Sequence, residues 1–511
     1  MPSASDLVFL GLLFTLSCSV LASRLLGDAG IGWHIRNGQL MLQNHAITRT
    51  DPFSSSMSGQ PWYAWEWLYD LLIAGVHHAM GLNGVVFLTA LVIAATFALT
   101  LRVIVARGGN LPLTIGLLAL ALGASAIHLL ARPHVVSWLL TVVWFAVLDS
   151  WESEASRNRN LLWLPVLMMV WVNLHGGFLT GFVLLGIYLT AGLMEYAVAG
   201  GEIARLKNLA GVTLLSLIAT FVNPYGYKLH EHIYHYLTNH FLMNHIEEFR
   251  APDFHGGSPQ CFLVLIILAI VAFAVSMEKP RATQVLVIIF AVASGVYSAR
   301  NLPVSSILLT LAIAPVLSRT IADAEARPEW AAWLRRWLLR WDAFASRMRQ
   351  MELAVHGHLW PIAGIVLAAL ICMHDGKLGA AQLMDAQFPA TRFPVAAVDL
   401  LAHENNQDPV FCPDYWGGYL IYRLYPQSKV IVDDRHDFYG EPFLKQYLKA
   451  VRVEEGWREV LDQGRVNIVL VPSASPLAQI LRQTLGWTVQ YSDKVGTLLK
   501  RTTPLLPQRN G

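Results

Sequence analysis

A polytopic α-helical membrane protein of about eleven transmembrane helices, with a C-terminal soluble α/β domain, is the fold class that three features of this sequence predict. Of its 511 residues 55% are hydrophobic and only 14% charged, a composition of membrane chains rather than of large soluble enzymes. Apolar runs long enough to cross ~30 Å of hydrocarbon recur through the first 375 residues. From about Phe388 the pattern changes to short strand-like and helix-like segments in alternation.

The runs lie near 7–26, 83–105, 111–131, 135–150, 161–174, 177–197, 209–223, 261–277, 283–298, 302–318 and 359–374. The first lacks a basic segment before it and is read as an uncleaved helix rather than a secretory signal. Between the first two runs, WYAWEWLYDLLIAGVHHAMG (62–81) is interrupted by Glu66, Asp70, His77 and His78. It reads as an interfacial helix with an aromatic face that does not cross. The loops after alternate spans then hold Arg102 and Arg107, Arg157 and Arg159, Arg205 and Lys207, Lys279 and Arg281, and the basic stretch 319–358. Basic loops mark the cytoplasmic side, so the chain is expected in the inner (cytoplasmic) membrane with its C-terminal domain outside.

Two domains follow: a transmembrane domain of residues 1–375, with a first extracytoplasmic loop at 27–82, and an extracytoplasmic α/β domain of residues 376–511. In the latter, DPVFCPD, KVIVDD, VNIVLVPS, WTVQYSD and VGTLLKR read as strands. YWGGYLIYRLYP, EPFLKQYLKAV and SPLAQILRQTL read as helices between them, giving a partly parallel sheet. The four cysteines have no paired spacing, which suggests neither a disulfide framework nor a zinc site. With 37 basic against 35 acidic residues, no field for nucleic acid is implied.

The polar groups of the expected outer side invite chemistry. The stretch GDAGIGWHIRNGQLMLQNHAITRTDP follows the first apolar run and carries Asp28, His34, Arg36 and Asp51; Trp62, Trp65, Glu66 and Trp67 come next. A carboxylate at a helix mouth is avoided unless solvated or used. An amphipathic loop bearing acid, base and indole groups suits a substrate with a lipid tail and a polar head.

The order of Asp28, His34, Ile35 and Gly38, then TDPF, then PWYAWEWL resembles the first extracytoplasmic loop of GT-C glycosyltransferases. That polyprenyl-phosphate-sugar-dependent class includes aminoarabinose transferases and protein O-mannosyltransferases, and the likeness is nearest to a bacterial branch with a C-terminal extracytoplasmic domain. In that class a carboxylate of this loop acts as general base on the acceptor or contributes to a metal site. Asp28 matches by position, with Asp51 or Glu66 as the assisting acid; no strict D-x-D occurs.

Elsewhere two readings stand for each motif. Arg132 in ARPH either snorkels to headgroups or clamps a phosphate with its fork of donors, with His134 adding a donor. In NLHGG a tight turn accounts for Gly176 and Gly177 but not for Asn173 and His175, which either line a site or satisfy a structural hydrogen bond. Arg300 in YSARN is a second phosphate ligand. The His-rich segment 223–257 has no H-E-x-x-H, so no metal ligand is assigned; the cofactor stays unknown, a divalent metal being unsupported by spacing. It reads as an amphipathic helix, with Glu247, Glu248 and Arg250 near the cavity. VDDRHD is read as an ion-paired strand-end loop or an acceptor contact.

The expectation is thus a membrane glycosyltransferase that moves a sugar from a polyprenyl-phosphate-linked donor to a glycan, lipid or protein acceptor. Asp28, Asp51 and Glu66 are the candidate catalytic residues. His34, Arg36, Trp62, Trp65, Arg132, His134, Asn173, His175 and Arg300 would bind substrate. Rival readings are a lipid or sugar flippase, against which the absence of an internal repeat counts, and a non-catalytic assembly subunit.

Overall fold

The computed structural model describes residues 2–153, 155–200, 203–355 and 358–505; the last six residues of the expected C-terminal domain and the side chain of Arg157 lie outside the described residues. Every one of the eleven apolar runs coincides with a helix, among them Ala4–Cys18, Leu111–Ser125, His134–Ser153, Leu179–Ala199, Gly257–Val275 and Leu302–Ala322. Among the described residues six helices are long and apolar enough to cross a membrane, or seven if one bent pair counts as a span. The others are too short or too polar by that measure: Ala4–Cys18 has 15 residues, about 22 Å at 1.5 Å per residue.

The stretch 62–81 is helical from Trp67 and ends at Gly81, whose φ of 59° only glycine adopts freely and where the backbone breaks before the helix continues to Ala106. One face packs against helix Gly30–Asn44, because Gly38 has no side chain to collide with the Asp70 backbone.

The C-terminal sheet has four strands in the order Val410–Phe411, Ile468–Pro472, Gly496–Arg501 and Trp487–Ser492. The first pair is parallel and the rest antiparallel, with Val469 opposite Leu499. KVIVDD, expected as a strand, makes only isolated bridges, from Val430 to Val410 and to Ser54 of the first loop. The three expected helices are present within Asp414–Leu424, His436–Arg452 and Pro476–Gln483.

Domain and loop share one core. Trp33, Phe53 and Trp62 are buried in a cluster that also holds Trp416, Tyr419 and Leu420. The contact is backbone on backbone: a Cβ on Gly32 would strike the Gly418 carbonyl, and one on Gly418 would strike that of Ala29. Its neighbour Gly417 allows the same closeness to Val432 and Asp433.

Candidate functional site

At one end of the bundle the helices close in single 3-10 turns, Ala126–His128, Gly176–Phe178, Glu247–Phe249 and Ala299–Asn301. Such tight ends bring polar side chains to the tip of an apolar helix without a long loop. With the first loop and the C-terminal domain they enclose a cavity of about 630 Å³. Asp28, Glu66, Arg132, His134, His175 and Arg300 line it, together with Trp62 and Trp65. At the opposite end Arg281 meets Glu152 at 2.5 Å and Asp149 at 3.6 Å.

Arg132 stands at the centre. Its guanidinium lies 3.5 Å from Asp28, 3.4 Å from Asp434 and 3.9 Å from Glu248. These separations exceed the 2.7–2.9 Å of a tight charge-assisted bond, so the fork is surrounded by charge but not spent. Burial opposes its charge, yet Asp28, Glu248 and Asp434 outweigh burial and hold it protonated. Arg300 is more committed, giving Nη1 to Glu248 at 2.8 Å and lying over the Phe249 ring. Burial would raise the Glu248 carboxyl; Arg300 and Arg132 overcome it and bring it down to about 2.

The first loop supplies the acids. Asp28 Oδ1 accepts the Gly30 N–H at 2.8 Å at the start of helix Gly30–Asn44. Glu66 lies 3.8 Å from His34 Nε2 and 3.7 Å from His175 Nε2. Burial pushes the Glu66 carboxyl up to about 7, with Asp70 adding to the shift against His34. His34 is fully buried and driven down to about 3 by burial. A neutral imidazole there donates Nδ1–H to Asp70 at 2.5 Å, and Asn37 donates to the other Asp70 oxygen at 2.6 Å.

Several expected site residues stand elsewhere. Asp51 caps the backbone N–H groups of Phe53 and Ser54 and pairs with Arg435 at 2.8 Å, wholly buried. Arg36 is turned to the Tyr422 carbonyl at 2.9 Å. Asn173 takes the structural alternative, accepting from Trp67 Nε1 at 2.7 Å and donating to the Val222 carbonyl at 2.8 Å. None of these three lines the cavity, nor does His34. His175 does, with Nδ1 held by Ser137 at 2.8 Å and Nε2 left toward Glu66 and Arg300.

VDDRHD divides its roles. Arg435 grips Asp433 through Nε and Nη2 at 2.7 and 2.6 Å and stacks 4.5 Å over the Trp62 ring, all buried. Asp434 faces the cavity and accepts Trp33 Nε1 at 3.0 Å. Burial, and Asp28 beside it, push its carboxyl up to about 7 against the pull of Arg132. Sequence reasoning flagged the string but not which acid points inward.

A divalent metal does not fit this arrangement. The carboxylates Asp28, Glu248 and Asp434 converge on a guanidinium that already occupies the place of a cation. Among the described residues no group of three or more His, Cys, Asp or Glu has a metal-holding geometry.

The fold and site together define a bundle with six described helices long and apolar enough to cross a membrane, an arginine-centred cavity at one end and a small C-terminal sheet. Among solved structures it is similar to the archaeal oligosaccharyltransferase AglB from Archaeoglobus fulgidus in complex with an inhibitory peptide and a dolichol-phosphate: 11% identity, 92% of this chain and 69% of that chain, TM-score 0.59. An Archaeoglobus fulgidus oligosaccharyltransferase tethered with an acceptor peptide gives 11% identity over 91% of this chain and 68% of that chain, TM-score 0.55. ArnT from Cupriavidus metallidurans in the apo state covers 96% of each chain at 14% identity, TM-score 0.49. No family model matches the sequence, and no curated protein matches it.

Proposed function

We propose that this protein is a membrane glycosyltransferase that moves a sugar from a polyprenyl-phosphate-linked donor to an acceptor on the extracytoplasmic face, its residues 376–511 forming a domain on that side. The observation that carries the reading is the pair Arg132 and Arg300, partly exposed in one cavity with Asp28 at the ends of apolar helices. A lipid-linked phosphate reaching such a place from the bilayer meets two permanent cations. The dolichol-phosphate in the archaeal structure of like fold supports a donor of this kind.

In this reading Asp28 takes the proton from the acceptor nucleophile as its lone pair attacks the anomeric carbon. The bond from that carbon to the phosphate oxygen breaks, and the electron pair remains on the phosphate against Arg132 and Arg300. Glu66, His175 and His134 border the sugar, and Trp62 and Trp65 offer it an apolar wall. The full chain in proteoliposomes, given radiolabelled polyprenyl-phosphate hexoses and pentoses, should transfer label to glycan, lipid or peptide acceptors. Asp28→Asn should lower turnover roughly 10²–10⁴-fold while retaining donor lipid. Movement of labelled lipid between leaflets without transfer would overturn the reading in favour of a flippase.

A further inference from the structure

Asp434 is an acid that folding alone does not call for. Its neighbour Asp433 has a structural role, held by Arg435 and by the Tyr439 hydroxyl at 2.8 Å. Asp434 turns the other way, toward Trp33 Nε1 and Arg132 Nη2. A buried carboxylate with one loose cationic partner destabilises a fold more than an amide of the same shape would.

Its relation to Asp28 is set by Gly30. A Cβ on that residue would lie 2.6 Å from Asp434 Oδ2 and 2.9 Å from Asp28 Oδ1. The only residue without a side chain at this point therefore lets two carboxylates from opposite ends of the chain approach one guanidinium. Two acids so placed do not both ionise freely. Burial and the neighbouring Asp28 hold the Asp434 carboxyl up near neutrality, which suits it to holding a proton beside Asp28. Asp28 has the Gly30 N–H and Arg132 Nε as partners. Around Asp434 stand Asp28 and Arg132, Asp433 and His436 on its own segment, and Glu248 across Arg132.

We propose that Asp434 is a second catalytic carboxylate of the transferase, supplied by the C-terminal domain, and that it shares with Asp28 the proton removed from the acceptor. The assignment rests on the glycosyl-transfer reading above. The acceptor O–H or N–H bond breaks toward the carboxylate pair, the freed lone pair bonds to the anomeric carbon, and the sugar–phosphate bond breaks with its electrons passing to phosphate. The held proton leaves to water with the product, so neither an oxidant nor a cofactor is required.

The test compares wild type, Asp434→Asn, Asp434→Glu, Asp28→Asn and the double variant in proteoliposomes with radiolabelled polyprenyl-phosphate sugars. Asp434→Asn should lower kcat at least about 100-fold with little change in donor KM. Asp434→Glu should recover part of that loss. The double variant should be little worse than the worse single, as expected of groups acting as a unit. Infrared difference titration of the same samples should show, beside the Glu66 band, a second protonated-carboxyl band near neutral pH that Asp434→Asn removes and Asp28→Asn moves to lower pH. Wild-type turnover in Asp434→Asn, or a second band that Asp28→Asn leaves in place, overturns the assignment while the transfer reading stands. A wild-type protein inert toward every donor removes the transfer reading and the catalytic role with it.

Discussion

The indole of Trp33 donates to Asp434 at 3.0 Å across 401 residues of sequence. This bond ties the first loop to the C-terminal domain at the cavity wall. Trp33→Phe keeps the ring packing and deletes the donor, leaving a buried carboxylate with one partner fewer. The expected cost is about 1–3 kcal/mol, read as a lower thermal midpoint, together with an upward shift of the acid limb of the pH–rate profile.

Arg132 and Arg300 should respond unequally to substitution. Arg132→Ala removes the least committed cation and should weaken donor binding roughly 30-fold or more, with Arg132→Lys a partial rescue because a point charge lacks the fork. Arg300→Ala also frees Glu248 from its 2.8 Å partner, so it should lose thermal stability as well as affinity. Donor titration alongside thermal melts separates the two, and unchanged donor affinity in both would favour snorkelling.

Donor binding should depend on pH with a defined sign. Asp434 and Glu66 both titrate at about 7, and an anionic phosphate is accepted more readily when they are neutral. Binding therefore takes up protons, and affinity should fall as pH rises through about 7. Calorimetry in buffers of different ionisation enthalpy reads the uptake directly; pH-independent affinity between about 6 and 8 would contradict it.

The same elevation affects stability. A carboxyl raised in the folded state contributes stability that is present at low pH and lost as pH rises from the unfolded value through about 7. Glu66→Gln should thus flatten the decline of the melting temperature between about pH 4.5 and 7.

Arg435 should prove structural. Its removal strands Asp433 and Asp51, both buried without exposure to compensate, at an expected cost of about 3–5 kcal/mol. Asp51→Asn should cost less and leave turnover per folded molecule intact. A selective loss of turnover in Asp51→Asn would return that residue to the chemistry.

The helices were legible because apolar runs are a one-dimensional signal, and the sheet because its strands alternate with helices at regular spacing. Asp28, Arg132, His175 and Arg300 were legible as neighbours because span counting places them at one end of the bundle. What the sequence withheld depends on direction. Three consecutive charges in VDDRHD act differently, since Asp433 and Arg435 lock together while Asp434 between them faces the cavity, and no local pattern distinguishes them. Asp51 resembles a catalytic acid until its partner, Arg435, is known from a segment far along the chain. The helix of the first loop meets the next span at Gly81, where a left-handed glycine breaks the backbone between them.

The bridge from Ser54 to Val430, 376 residues apart, and the bond from Ser56 to Ile431, 375 apart, have a bearing on biogenesis. At about 5–20 residues per second, the first loop is made roughly 20–75 s before the segment that completes it exists. Through that interval Phe53 lacks Tyr425, Trp62 lacks Phe438 and Trp33 lacks Asp434, the later-made partners beside which they sit in the finished molecule. A nascent chain halted before about residue 410 is therefore expected to display a sticky, protease-sensitive loop, making the later-made sheet domain the quality checkpoint for the first loop.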